Sequence, residues 1–330
     1  MDRVYNVYGI GNALVDIQYQ VDPSFLDKMG IVKGVMTLIE ECIQEELIEK
    51  LRGTELKRSS GGSAANTLIS LANCGGTAYY SCKVGDDEDG DFYLKDLEMA
   101  GVDSNQSNRG KGTTGKCLVM ITPDADRTMN TFLGITQTFG QEQVDEEVIA
   151  KSNFLYIEGY LLASNFGFEA ALKAQKKARR NGTRVSLTLS DRSIVVTFRD
   201  RVNQILEGGV DLLFCNEDEA QSCTDVRETR NACEILGGSV GLAVVTCGAK
   251  GAIVQDGEKS LLIPGFTVEA VDSNGAGDAF AGAFLFGITH GYDVAQSGKL
   301  AAYVSSRVVA KYGPRPDLSI KGNLELILGL

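Results

Sequence analysis

Short apolar runs alternate along most of this chain with longer segments in which apolar positions recur every three or four residues. That is the pattern of strands and helices in a mainly parallel sheet covered on both faces. Residues 4–10 predict the first strand. Residues 40–52 predict an amphipathic helix, with Ile43, Leu47, Ile48 and Leu51 on one face and Gly53 as its stop. Further strands are expected at 78–84, 153–158, 184–189, 210–215 and 241–245, and helices at 88–99, 166–180, 229–236 and 294–311. Two stretches, 12–38 and 113–133, break this rhythm. In the second, residues 116–121 and 127–133 flank Pro123-Asp124-Ala125-Asp126, residue types that make a tight turn, so a hairpin is predicted. Extended segments inserted into an α/β chain are expected to stand over the strand ends, where ligands bind. The expected organisation is a large α/β body from 1–11, 39–112 and 134–330, with a small β lid from 12–38 and 113–133.

Composition adds exclusions. The 330 residues, 43% hydrophobic and 23% charged, suit one large globular α/β domain with an appendage. A net charge of −12 argues against a nucleic-acid partner, whose phosphates it would repel. No apolar run reaches the about 18 residues of a membrane span, and Met1-Asp2-Arg3-Val4-Tyr5-Asn6 lacks the layout of a secretory signal. The expectation is a soluble, cytoplasmic protein with no membrane partner. Eight cysteines without a C-x-x-C pair predict reduced, mostly buried thiols rather than disulfides or a zinc site. His290 is the only histidine, which excludes histidine-based triads and multi-histidine metal sites. Before Gly291 it reads as a cap or surface residue.

The most informative segment is Asp272-Ser273-Asn274-Gly275-Ala276-Gly277-Asp278-Ala279-Phe280-Ala281-Gly282-Ala283, a glycine-rich turn running into a small-residue helix. Gly275 and Gly277 let backbone N–H groups converge on a ligand, and the first helical turn adds free donors and partial positive charge. The expectation is that Asp278 removes a proton from a substrate hydroxyl while the Gly275, Ala276 and Gly277 amides stabilise a transferring phosphoryl group. A carboxylate that merely caps a helix is the alternative.

Other motifs carry less. Gly110-Lys111-Gly112-Thr113-Thr114-Gly115-Lys116-Cys117 nearly spells a P-loop, but Cys117 replaces the metal-binding hydroxyl and 117–121 reads as strand. Gly9-Ile10-Gly11-Asn12-Ala13-Leu14 follows the first strand, yet Leu14 stands where a dinucleotide fingerprint needs glycine. Asn12 and Asp16, at the foot of the lid, can hydrogen-bond vicinal hydroxyls. Ser60-Gly61-Gly62-Ser63-Ala64-Ala65-Asn66 is a second glycine-rich helix entry, in which Asn66 offers donor and acceptor and Ser63 is also a cap. Asn216 and Glu219 follow a strand at helical spacing, as hard oxygen ligands for magnesium through water or as a plain acidic first turn. Thr246-Cys247-Gly248-Ala249-Lys250-Gly251 suits nucleotide phosphates or a tight hairpin, and Arg127 in the lid is a candidate phosphoryl clamp.

In this order the segments resemble the ribokinase-like (PfkB) family of carbohydrate and nucleoside kinases, from Gly9 to about Pro316. The most specific elements are Asp272 to Asp278, which resembles D-[TS]-x-G-A-G-D, the Gly61-Gly62 region, and Asn216-x-x-Glu219. The resemblance implies a doubly wound, mainly parallel α/β fold with a small β lid. It implies Asp278 as base, Gly275 to Gly277 as anion hole, Asn216 and Glu219 around Mg2+, and ATP contacts from Asn216, Thr246, Gly248, Gly251 and Asn274. The opening motif, Leu187-Thr188-Leu189-Ser190, Phe214-x-Asn216-Glu217 and Asp272-x-Asn274-Gly275 are closer to adenosine kinases than to ribokinases. On that likeness Asn12, Asp16, Gly61, Gly62, Ser63 and Asn66 bind the ribose, Arg127 the phosphoryl group, and Tyr160 packs on the base. A monovalent cation such as K+ beside Asp272 is also implied. The expected activity is ATP-dependent phosphorylation of the primary hydroxyl of a nucleoside, adenosine first, by a monomer or homodimer. The alternatives are a kinase of ribose, fructose or a related sugar, a nucleoside sensor without catalysis and, least favoured given Leu14, a dehydrogenase.

Overall fold

The computed structural model describes residues 3–124, 126–315 and 320–329, so Met1, Asp2, Ala125 of the expected turn and Pro316 at the end of the resemblance lie outside the described residues. Nine strands form one sheet in the order Lys259–Pro264, Gly251–Asp256, Leu242–Thr246, Leu212–Asn216, Arg184–Thr188, Ser152–Glu158, Tyr5–Ile10, Ala78–Ser81, Val102–Ser104. Pairing is parallel from Leu242–Thr246 to Val102–Ser104. The two edge strands before it are antiparallel. Alternate side chains of one strand enter different cores: Phe154 and Tyr156 pack with the helices Ser63–Asn73 and Ala276–Thr289, while Leu155 and Ile157 pack with Asn165–Arg180. Burial on both faces explains why these strands read as continuous apolar runs. The sheet is doubly wound, as the patterning predicts.

A second sheet runs Met36–Leu38, Arg127–Gly134, Thr114–Ile121, Leu14–Gln20, Glu55–Gly61. Its last strand lies in 39–112, which sequence reading gave to the large body; Glu55-Leu56-Lys57 is an exposed, polar edge without apolar alternation. The stretch 12–38 also holds a helix, Pro23–Met29, capped by Asp22 and ended by Gly30 at φ +64°. Two helices, Arg192–Thr197 and Arg199–Glu207, and the hairpin Gly251–Asp256 with Lys259–Pro264 add to the elements that the apolar pattern predicts. No described helix is long and apolar enough to cross a membrane.

Candidate active site

Five strands end at one rim of the large sheet. Tyr5–Ile10 leads to Asn12, Ser152–Glu158 to Glu158 and Tyr160, Arg184–Thr188 to Ser190, Leu212–Asn216 to Asn216, and Leu242–Thr246 to Thr246. Carboxyl ends of parallel strands are where open α/β sheets bind ligands. A cavity of about 750 Å³ lies there, and Leu14, Met36, Val119, Met129 and Leu133 of the second sheet line its other side.

The helix Ala276–Thr289 enters this cavity through Gly275, whose φ of +75° only glycine adopts cheaply. A Cβ on Gly275 would lie 2.4 Å from Pro314 Cβ, whereas one on Gly277 would meet nothing within 4 Å. Gly277 thus leaves open space beside the helix N-terminus. The Ala276 N–H donates to Ser273 O at 3.2 Å. Of the three amides expected in the anion pocket, those of Gly275 and Gly277 are therefore the free ones among the described residues, because Ala276 closes the turn itself.

Asp278 stands in the first turn of that helix and faces the cavity. Ser63 Oγ donates to its Oδ1 at 2.7 Å and Asn66 Nδ2 to its Oδ2 at 3.2 Å. Burial raises its pKa to about 6, against the lowering effect of those two hydrogen bonds. A carboxyl in that range is ionised at neutral pH yet basic enough to accept a proton.

Ser63 and Asn66 belong to the helix Ser63–Asn73, entered through Gly62 at φ +99°. A Cβ on Gly62 would lie 2.2 Å from the Asn12 carbonyl oxygen, and one on Gly61 2.2 Å from Asp16 Cγ. These glycines let three segments close around one spot. Gly62 lines the cavity with Asn12, Asp16, Ser63, Asn66 and Tyr160, while Gly61 sits behind Asp16. Two acceptors there lack donors among the described residues: Asn66 Oδ1, which is fully buried, and the carboxylate of Asp16. Burial raises the Asp16 pKa to about 7, opposed by the charges of Arg315 and Arg127.

Glu158 is a buried cavity carboxylate that the sequence pattern does not single out. Glu158 is 1% exposed, and its carboxylate accepts the Asn12 N–H at 3.2 Å, Asn12 Nδ2 at 3.1 Å and the Ala64 N–H at 2.8 Å. Burial raises its pKa to about 7. It ties the segment after the first strand to the helix Ser63–Asn73, whose Ser63 and Asn66 bond Asp278. The signal was a lone carboxylate ending the otherwise apolar Phe154-Leu155-Tyr156-Ile157. The glycine at 11 belongs to this joint, since a Cβ there would lie 2.4 Å from Glu158 Oε2.

Asn216 caps the helix Glu217–Thr224: its Oδ1 accepts the Glu219 N–H at 2.9 Å, while the Glu219 carboxylate accepts the Asn216 N–H at 3.1 Å and Asn216 Nδ2 at 2.7 Å. Both also line the cavity, so capping and ligand contact coexist at this pair. Burial lifts the Glu219 pKa to about 7. Thr246 and Asn274 line the cavity. Gly248 and Gly251 do not; they make the turn between two antiparallel strands, where a Cβ on Gly251 would lie 1.9 Å from Ile263 O. The hairpin reading of that motif is the one the backbone takes.

Arg127 and Asp272 lie behind the cavity lining. Arg127 Nη2 is 2.7 Å from Asp272 Oδ2, an ion pair without hydrogen-bond alignment, and the guanidinium nitrogens Nε and Nη1 are buried without partners. The false P-loop forms no phosphate cradle: 114–121 is a strand whose Cys117 and Val119 line the cavity, and Lys116 Nζ pairs with Asp89 at 2.7 Å.

A family model described as pfkB family carbohydrate kinase matches residues 30–321. The structure is similar to adenosine kinase from Sinorhizobium meliloti, with a TM-score of 0.90 and 35% identity over 98% of this chain and 99% of that one. Adenosine kinase of Saccharomyces cerevisiae is 27% identical over 92% of this chain and 95% of its own length. An uncharacterized sugar kinase of Archaeoglobus fulgidus is 24% identical over 76% of this chain and 98% of its own length.

Proposed function

Since this chain belongs to the pfkB family of carbohydrate kinases and is a phosphotransferase with an alcohol acceptor, we propose that it transfers the γ-phosphoryl group of ATP to the primary hydroxyl of a nucleoside, adenosine first. The observation that carries the reading is Asp278, a carboxylate of raised pKa beside two free helix-entry amides and held by Ser63 and Asn66. The acceptor hydroxyl loses its proton to Asp278 as its oxygen bonds to phosphorus and ADP leaves. The Gly275 and Gly277 amides stabilise the oxygens of the moving group. Arg127, on the small sheet behind the cavity lining, has two unpartnered donors that reach the same group once its side chain turns inward. That sheet acts as a lid, excluding water so that ATP is not hydrolysed.

The polar lining suits a ribose, and the apolar lining favours a nucleoside over the free sugar. The unpaired acceptors of Asp16 and Asn66 suit vicinal ribose hydroxyls, with Asn12 beside them. The same cavity is also lined by Met36, Val119, Met129, Leu133 and Tyr160, a surface that a base would cover and a pentose would leave bare. The adenosine kinases of similar sequence support adenosine.

Asn216, Thr246 and Asn274 are the ATP contacts on the other side, with the turn of Gly248 and Gly251 next to them. Among the described residues no three His, Cys, Asp or Glu side chains form a metal cluster. The single carboxylate of Glu219 beside Asn216 fits Mg2+ held largely by water and substrate phosphates, as that ion prefers. Held there, Mg2+ would offset phosphate charge. An assay of ADP release over a panel of nucleosides and sugars tests the proposal. Adenosine is expected to give the highest kcat/KM; ribose or fructose surpassing every nucleoside would contradict it.

A further inference from the structure

Asp272 opens the turn that forms the anion pocket, and its carboxylate is fully engaged. Oδ1 accepts the Asn274 N–H at 3.0 Å, and Oδ2 accepts the Gly313 N–H at 2.8 Å. Oδ2 also faces Arg127 Nη2 at 2.7 Å, the two side chains being 7% and 3% exposed. Charges this close and this dry interact strongly, and a second cation on the same carboxylate would meet the guanidinium's repulsion. The Tyr312 ring, with its centroid 5.8 Å from Arg127 Cζ, adds a further cation-favouring surface on the arginine's side. These residues do not fit the monovalent metal ion that the family resemblance implies at Asp272.

We infer that the Arg127 guanidinium is the resident cation of this turn, so that the chain works without potassium or any other monovalent metal ion at Asp272. The inference rests on reading this turn as the phosphoryl-binding element. Arginine remains protonated here even though burial lowers its pKa, because Asp272 and Asp16 oppose that fall. The cation is also tethered. Arg127 begins the strand Arg127–Gly134 of the second sheet, whereas Asp272 leads into the helix Ala276–Thr289, so one ion pair joins the small sheet to the anion pocket. A metal ion drawn from solvent would supply the charge without that link.

The test is thermal unfolding of the nucleotide-free chain in KCl, NaCl or N-methyl-D-glucamine chloride, at a fixed ionic strength of about 0.15 M. The unaltered protein is expected to unfold at one temperature in all three. Arg127→Met leaves Asp272 without a cation and is expected to gain a metal-ion-specific rise, roughly 5 °C at saturating K+. Arg127→Lys keeps the charge and is expected to stay indifferent. A saturable, potassium-specific rise in the unaltered protein overturns the inference, as does a folded Arg127→Met that ignores every ion. Should Arg127→Met fail to fold, the unaltered protein decides: indifference supports the inference. ADP release in the same salts is expected to be equal; strong dependence on K+ overturns the inference. Absence of turnover with every acceptor contradicts the proposed activity and leaves the unfolding result standing.

Discussion

Ser63 Oγ donates to Asp278 Oδ1 at 2.7 Å, joining the first turns of two helices 215 residues apart in sequence. The bond fixes the carboxylate's orientation and favours its ionised form. The helix that presents the acceptor side of the cavity thereby also sets the basicity of the proposed base.

Ser63→Ala should raise the Asp278 pKa, since burial then acts against one hydrogen bond instead of two. The acid limb of kcat/KM is expected to move to higher pH, with kcat down about tenfold near neutrality. A pH–rate profile checks this; an unmoved limb would show that Asp278 does not govern it.

Glu158→Gln keeps the side chain's size but turns an amide NH2 toward N–H donors of Asn12 or Ala64. The cost to stability is expected to be about 1–3 kcal/mol, read from urea unfolding. KM for the nucleoside should rise more than kcat falls, because Glu158 orients Asn12 and the proton passes to Asp278. Unchanged stability and KM would remove Glu158 from the site.

The contrast between Glu158 and Asp278 shows what was legible in sequence. Asp278, Gly275, Gly277 and Asn66 stand at glycine-rich helix entries, where local chain geometry constrains residue type, and Asp16 is a lone carboxylate within the strand Leu14–Gln20. Glu158 gains its meaning from Asn12, 146 residues away, and Ala64, 94 away, which no local pattern reports. Arg127 was legible as a lid cation and Asp272 as part of the glycine-rich turn, but their pairing is visible only in three dimensions. The strand Arg127–Gly134 shows no clean apolar alternation, so which of its faces carries the cavity wall depends on where the second sheet sits. The parallel sheet was readable because burial on both faces leaves unbroken apolar runs; the edge strand Glu55–Gly61, with its exposed start, was not.

Four carboxyls around the cavity, Asp16, Glu158, Glu219 and Asp278, have pKa values raised by burial to about 7, 7, 7 and 6. The folded protein therefore holds protons that the unfolded chain releases near its ordinary carboxyl pKa. That stabilisation is present in acid and lost as pH rises through 6 to 7. The ligand-free protein is expected to melt at a higher temperature at pH 5 than at pH 8, by scanning calorimetry, while turnover follows the opposite trend because Asp278 must be ionised. A melting temperature that climbs steadily from pH 5 to pH 8 would contradict the buried placement of these groups.

Tyr160→Ala removes the aromatic side chain from the cavity lining. KM for adenosine is expected to rise about tenfold or more, with kinetics for ribose, where measurable, unchanged. Equal losses for both acceptors would place the base elsewhere.

The central claim is that the Asp278 carboxylate takes the acceptor's proton. Asp278→Asn keeps the shape and removes the charge, so single-turnover transfer from ATP to adenosine, with both bound at saturation, tests it most directly. The rate is expected to fall by about a thousandfold while adenosine binding, measured by calorimetry, stays within a few-fold. A variant that transfers phosphoryl at near the unaltered rate would contradict the claim.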